Sequence, residues 1–270
     1  MKPNNKQSEV KYRSVNIMKR VSASFLGAAL ALCLTAANVT AAAPQETVDL
    51  GLAAHFAVLA GSTVTNTGFT IINGDLGVSP GAAVTGFKPV PIDGPGIVNG
   101  TIYTPLKFCS KKACVVQSNT VAAVGQASLL VAYNDAAGRD VDPVNADAAD
   151  LGGLTLTPGL YDSASTLAIT GDLTLAGDGV YIFQMVSGLT VNSNARVLLT
   201  GGAKAAKVFW QVGSSATLGT NSVFKGTIMA DQSISMATGA TLEGRALAQV
   251  GAVTLDTNVV KLPTVAKGKQ

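Results

Sequence analysis

Four short segments of the C-terminal half align on one another. They are Leu189-Thr190-Val191-Asn192-Ser193, Ala216-Thr217-Leu218-Gly219-Thr220, Ile234-Ser235-Met236-Ala237-Thr238 and Val253-Thr254-Leu255-Asp256-Thr257. Successive copies are 27, 18 and 19 residues apart. A unit of this size holds a few short strands and turns, cannot bury an apolar face by itself, and must stack on its neighbours, which predicts a solenoid. Unequal steps imply rungs of unequal perimeter. Side chains alternate across a strand, so Val191, Leu218, Met236 and Leu255 form an inward apolar column and Thr190, Thr217, Ser235 and Thr254 an outward hydroxyl column. Val197, Phe224 and Leu242 offer a second inward column. Ser193, Thr220, Thr238 and Thr257 close the four copies, where a hydroxyl can bond the turn backbone. Stacked rungs repeat every ~4.8 Å and alternate residues of a strand every ~6.8 Å, so any outward array inherits a regular lattice.

Composition agrees with a narrow, repetitive interior. Hydrophobic residues make up 47% of the 270, aromatics 5% and charged residues 13%, against about 25% charged in ordinary globular chains. Small aliphatic residues, Gly and Thr must therefore build both core and surface. The expected class is all-β dominated, with one exception. Gln117 to Ala137 contains no Pro and only Gly125, with Val121, Val124, Ser128 and Val131 at helical spacing and Leu130 and Tyr133 nearby. We expect one amphipathic helix over about 117–138, ending at Gly138, its apolar face packed on the β-structure. Residues 88–96 form a proline-rich loop.

The first forty or so residues read as a leader. Met18-Lys19-Arg20 is a positive start, Val21 to Leu34 an apolar stretch, and Ala36 to Ala43 a small-residue cleavage region, with cleavage expected near Ala41. Residues 1–17 precede this start and read as an over-extended gene model. The domain organisation is then a leader over 1–41 (signal peptide about 18–41), one domain over 42–262, and a short tail over 263–270. Six of the basic residues and Glu9 fall in the leader, so the formal charge of +3 becomes 13 basic against 15 acidic residues. A slightly acidic chain offers no basic patch for a phosphate backbone, so no nucleic-acid partner is expected. No membrane association is expected after cleavage.

Beyond Cys33 in the leader, two cysteines remain, Cys109 and Cys114. In an oxidising compartment they are candidates for a local disulfide around Lys111-Lys112. His55 is the only histidine, and no metal or cofactor site is expected. His55 reads as a packing residue and Trp210 as core. Asp172, Asp178 and Asp256 read as turn carboxylates, a calcium site being the less favoured alternative.

Several segments resemble a known family. They are Asn73-Gly74-Asp75-Leu76-Gly77-Val78-Ser79-Pro80-Gly81, Tyr133-Asn134-Asp135-Ala136-Ala137-Gly138-Arg139 and Gly153-Leu154-Thr155-Leu156-Thr157-Pro158-Gly159-Leu160-Tyr161. Val180-Tyr181-Ile182-Phe183-Gln184, Val208-Phe209-Trp210-Gln211-Val212 and Gly244-Arg245-Ala246-Leu247-Ala248-Gln249 complete the set. In order and number they are similar to the microbial ice-binding (antifreeze) proteins of the discontinuous β-solenoid type, over about residues 49–260. The resemblance implies a right-handed β-solenoid of triangular cross-section with one long helix alongside, N- and C-terminal rungs stacked together, and one flat ice-binding face. It also implies a Thr–small–any–Thr/Asn pattern near that face, matched by Thr67-Gly68-Phe69-Thr70 and Thr238-Gly239-Ala240-Thr241. The Cys109–Cys114 insertion departs from the family pattern.

The expected function is adsorption to ice and ordered water by a secreted, extracellular, non-enzymatic monomer, inhibiting ice growth and recrystallisation. Candidate ice-contacting residues are Thr65, Thr67, Thr70, Thr190, Thr217, Thr220, Ser235, Thr238, Thr241, Thr254 and Thr257. Threonine is also simply a good strand former, and all three faces of such a prism stay candidates. A secreted adhesin or extracellular-matrix scaffold is the alternative. A polysaccharide-cleaving enzyme would need a clustered acid/base pair, and the acids here are sparse.

Overall fold

In the computed structural model each rung contributes short strands to three parallel sheets. The structure describes residues 44–88, 94–104, 107–110, 113–116, 120–141, 143–145 and 149–264, with backbone alone for 107–110, 113–116 and 145. The leader, the Lys111-Lys112 loop, the expected first turn of the helix (117–119) and the end of the tail lie outside these residues.

The first sheet runs in space through Val144–Asn145, Gly159–Ser163, Tyr181–Met185, Val208–Val212, Val223–Ala230, Thr241–Ala248, Phe56–Ala60, Asp75–Val78 and Ile102–Tyr103. The second runs through Leu167–Ile169, Leu189–Val191, Ala216–Leu218, Ile234–Met236, Val253–Leu255, Thr63–Asn66 and Ala83–Thr85. The third begins with Thr155–Leu156, Leu173–Ala176 and Val197–Thr200. It continues across an Arg196–Val223 bridge into the first halves of the two long strands, then Val259–Lys261, Ile71–Asn73 and Ile97–Asn99. In every sheet the N-terminal strands join beyond the C-terminal ones: Phe56–Ala60 beside Thr241–Ala248, Thr63–Asn66 beside Val253–Leu255, Ile71–Asn73 beside Val259–Lys261. The solenoid is discontinuous, because rung order in space is not chain order.

The long strands Val223–Ala230 and Thr241–Ala248 serve two sheets by bending at Gly226 and Gly244, which are register partners. Gly226 takes φ 107, and a Cβ there would lie 2.7 Å from the Val208 carbonyl oxygen. Only glycine allows the rungs to stack at that bend.

Inside the prism, the two expected apolar columns are buried together with Val260 and Ile72, which extend the second. Tyr161, Phe183 and Trp210 occupy one register position on successive rungs, their rings stacked with centroids 5.1 and 3.9 Å apart, and Phe224 follows Trp210 at 4.9 Å. Trp210 is core, its Nε1 donating to the Lys225 carbonyl at 3.0 Å. Burying each ring contributes on the order of 2–3 kcal/mol.

The helix spans Thr120–Ala137 and lies on the first sheet, but not by the face expected. Ala122, Gly125, Leu129, Ala132 and Ala136 are buried, whereas Val121, Val124, Leu130 and Val131 are 40 to 68% exposed. The reason is size. The sheet beneath presents Phe56, Leu59, Ile182, Phe209, Met229 and Leu247, and these large side chains leave room only for small ones on the helix. Gly125 sits on the Phe56 ring, where a Cβ would come within 2.6 Å of Cε2. Of the other expected positions, Ser128 is half-buried and its hydroxyl accepts from Leu52 N–H, while Tyr133 donates to the Val212 carbonyl. Gln184 Nε2 donates to the carbonyls of Ala136 (2.6 Å) and Arg139 (2.8 Å), satisfying the helix end. Arg245, beside this layer, donates to the Ala54 carbonyl and to Thr227 Oγ1, and burial pushes its guanidinium down to about 10.

Lys107–Ser110 and Ala113–Val116 form an antiparallel hairpin in which Cys109 and Cys114 are direct register partners.

Candidate functional site

The three faces of the prism differ in what covers them. The first carries the helix. The third and its edges carry ion pairs: Arg196 with Asp172, Lys204 and Lys207 with Asp178, and Lys225 and Lys261 with Glu243. The seven strands of the second sheet contain no charged residue and lie under no helix. Asp172 and Asp178, read above as turn carboxylates, are held below the usual carboxylate range, Asp172 by the Arg196 hydrogen bond and Asp178 by Lys207 and then Lys204. Among the described residues no three metal-binding side chains come together.

The second face is built by register. Ala168, Thr190, Thr217, Ser235, Thr254, Thr65 and Thr85 are consecutive Cα partners. Six of these seven outward positions bear a hydroxyl. On either side of each, the neighbouring residues point inward. Leu189, Ala216, Ile234, Val253 and Val64 make one buried row and Val191, Leu218, Met236 and Leu255 the other. Inward β-branched and leucyl side chains anchor the strands, so the outward positions stand at rung spacing, ~4.8 Å apart, over roughly 29 Å. Thr65 Oγ1 donates to Thr254 Oγ1 at 3.4 Å. A shorter polar row precedes the column, with Thr166, Ser215, Ser233 and Thr63. Ser215 and Ser233 hydroxyls accept from the N–H of Ser233 and Ala252.

Past the column the chain turns. Asn194, Asn221, Gly239 and Thr257 adopt left-handed φ values of 64, 57, 75 and 55° and stack on one another. Bonds from Asn194 N–H to Thr220 O, Asn221 N–H to Thr238 O, and Gly239 N–H to Asp256 O join them. This corrects the expected corner row. Ser193, Thr220 and Thr238 do align, but Asp256 follows them, and Thr257 stands one place further on. Thr241 pairs with Val259 while Met236 pairs with Leu255, so the last turn is one residue shorter. Thr238 Oγ1 donates to Asp256 Oδ2, and Thr257 Oγ1 to Asp256 Oδ1 at 3.0 Å. These hydroxyls, Thr238 first, hold the Asp256 carboxyl below the usual range. Thr67 is exposed at the same corner.

Two expected residues lie elsewhere. Thr70 is fully buried, donating to Asn66 Oδ1 at 2.6 Å and accepting from Asn258 N–H at 3.0 Å. Thr241 is on the third face, in register with Val223 and Val259, its hydroxyl donating to the Ser222 carbonyl. Conversely, Thr85, Thr63, Thr166 and Thr170 share the second face or its edge and lie outside the expected set. Thr85 follows the same alternation as Thr217 in Ala83-Val84-Thr85, but only the register of the inserted N-terminal rungs brings it into the column. Thr170 donates by its N–H and hydroxyl to Asp150. Burial pushes Asp150 up, yet bonds from Thr170 and Gly152 bring it below the usual range.

A family model described as ice-binding-like matches residues 58–261. An ice-binding protein of Nostoc sp. (strain HG1) is 47% identical, over 78% of this chain and 72% of its own length. One of Flavobacterium frigoris (strain PS1) is 39% identical, over 81% and 77%. The crystal structure of an ice-binding protein from an Antarctic biological consortium has a TM-score of 0.72 at 46% identity, covering 82% of this chain and 94% of that one.

Proposed function

The chain belongs to the family of ice-binding-like proteins, and on that premise we propose that it adsorbs to ice through the second face, the threonine face. One observation carries this reading: six hydroxyl-bearing residues in unbroken register on the one face that has neither charge nor cover.

The chemistry suits an ice lattice. A threonine in a strand has few χ1 states, so little side-chain entropy is lost on binding. Its methyl disfavours loose hydration, while its hydroxyl both donates and accepts. Set at a regular spacing by the backbone, such groups order water into a pattern that merges with the crystal. Growth then stops locally between adsorbed molecules. Long charged side chains would hold disordered hydration shells and keep the surfaces apart.

The protein acts outside the cell, after removal of a leader ending near Ala41, as a monomer and without catalysis. Among the described residues no helix is long and apolar enough to cross a membrane.

The experiment is ice-growth inhibition by residues 42–270, with thermal hysteresis and crystal shape recorded near 0 °C. A freezing gap with faceted crystals is expected. A folded protein showing no gap, no shaping and no inhibition of recrystallisation would remove the ice reading and leave a secreted scaffold.

A further inference from the structure

We propose that Asp256 is a positioning residue of the ice-binding surface: its carboxylate collects the hydroxyl protons of Thr238 and Thr257 and so fixes which way one edge of the array faces water. The proposal rests on the reading of the threonine face given above.

The shortened last turn is what brings the carboxylate there, beside Thr238 of the preceding rung. Its two oxygens are divided between hydroxyls, Oδ2 taking Thr238 and Oδ1 taking Thr257. The loop beneath is rigid. Asp256 N–H donates to Asn258 Oδ1 at 2.7 Å, and buried Asn258 donates to the carbonyls of Ala237 and Ala240 at 2.8 and 3.0 Å. Gly68 closes the cluster from the other side, where a Cβ would fall 2.0 Å from Thr257 Oγ1 and 2.5 Å from Asp256 Oδ1.

An ionised carboxylate only accepts hydrogen bonds, whereas a hydroxyl has one proton and two lone pairs. Once each proton is turned toward Asp256, each hydroxyl oxygen offers water its lone pairs alone. Bonds to a charged acceptor are stronger than neutral ones, so the rotors are held. The edge thus presents a fixed row of acceptors, and water bound there must donate. A lattice in which every molecule has a set donor and acceptor direction distinguishes such an edge from one whose hydroxyls rotate freely.

No charge competes. The stretches on either side, 61–70 and 232–242, contain no charged residue. Lys261, further along the same rung, pairs with Glu243 on the third face at 3.2 Å. The arrangement is therefore complete while Asp256 is ionised and is lost as pH falls through its lowered pKa.

The test has two readouts. The Asp256 carboxyl is titrated by NMR in the native chain and in Thr238→Val, and thermal hysteresis is measured for both, for Asp256→Asn and for the double variant. We expect Thr238→Val to move the Asp256 midpoint up toward the ordinary carboxylate value. We expect Asp256→Asn to keep its melting temperature and lose roughly half of the freezing gap, because freed hydroxyl rotors must be ordered at the ice surface. The double variant should fall no further than the more affected single one, as coupled neighbours do. An unmoved titration, a native freezing gap in Asp256→Asn, or losses that simply add would overturn the proposal. A native chain with no freezing gap would overturn the function of the face, while the titration would still judge the hydroxyl clamp.

Discussion

Thr65 and Thr254 are 189 residues apart in the chain, yet their hydroxyls stand 3.4 Å apart on one face, Thr65 donating to Thr254. The contact exists because Thr63–Asn66 continues the sheet that Val253–Leu255 would otherwise end. The proposed ice-binding surface is thus assembled from both ends of the domain, with the junction one rung past its centre.

Bulk placed at that junction should separate the face from ice. Thr254→Tyr and Thr65→Tyr are each expected to remove roughly half or more of the thermal hysteresis, since bulk inside the row, away from its rim, prevents close approach of the whole face. Thr241→Tyr, on the third face, should leave it near the native level. Equal loss from all three would assign the activity to another surface.

The helix–sheet fit gives a prediction that contradicts hydrophobicity alone. Gly125→Ala would push a methyl against Phe56 and should destabilise by about 1–3 kcal/mol. Val131→Thr, at a position 68% exposed, should change stability by less than about 0.5 kcal/mol. Urea unfolding of both variants checks the order, and a larger effect at Val131 would reverse the assigned helix face.

Asn258 holds the shortened corner from inside, fully buried and bonded to the Asp256 N–H and two carbonyls. Asn258→Ala strands these groups and should lose about 2–4 kcal/mol, seen as a lower urea midpoint. Asn192→Ala, exposed on the surface, serves as the comparison and should be nearly silent.

Acid should weaken the third face. Burial pushes Glu243 up, but Lys225 and then Lys261 bring it below the ordinary range. A carboxyl with a lowered folded pKa stabilises the fold above its unfolded pKa, and that contribution is lost as pH falls through the folded value. Melting temperature should hold from neutrality to about pH 5 and decline below about pH 4, with a shallower decline in Glu243→Gln. A melting temperature that rises on acidification would contradict the ion-pair assignment.

The hairpin register places Cys109 opposite Cys114, and in protein exported to an oxidising compartment we expect the two thiols to be joined. Thiol titration of the denatured mature protein should then find free thiol only after reduction. Two free thiols in protein secreted through an oxidising compartment would exclude the bridge.

Much of the molecule was legible in local pattern. Alternation within three-residue strands separates Thr217 from Ala216 and Leu218, and a repeat of 18 or 19 residues stacks Thr217, Ser235 and Thr254. Trp210 in an apolar run reads as core. The family motifs, Gly244-Arg245-Ala246 among them, imply the discontinuous solenoid. The alternation and the core residues depend on near neighbours along the chain, where the strand period of two dictates direction; the discontinuity came only from the resemblance.

What only the tertiary structure decided depends on groups brought together from afar. Thr85 joins the column and Thr70 turns inward because inserted rungs take their register from Leu255 and Asn258, nearly two hundred residues later. Thr257 leaves the row because one turn is a residue shorter than its neighbour, which hydroxyl spacing in the sequence does not reveal. The helix buries Gly125 rather than Val124 because large side chains on the sheet select small ones opposite. The threonine face is the open one because the helix and the ion pairs occupy the other two. Local sequence determined the period of the array; packing between distant segments decided which members share a plane and which plane meets water.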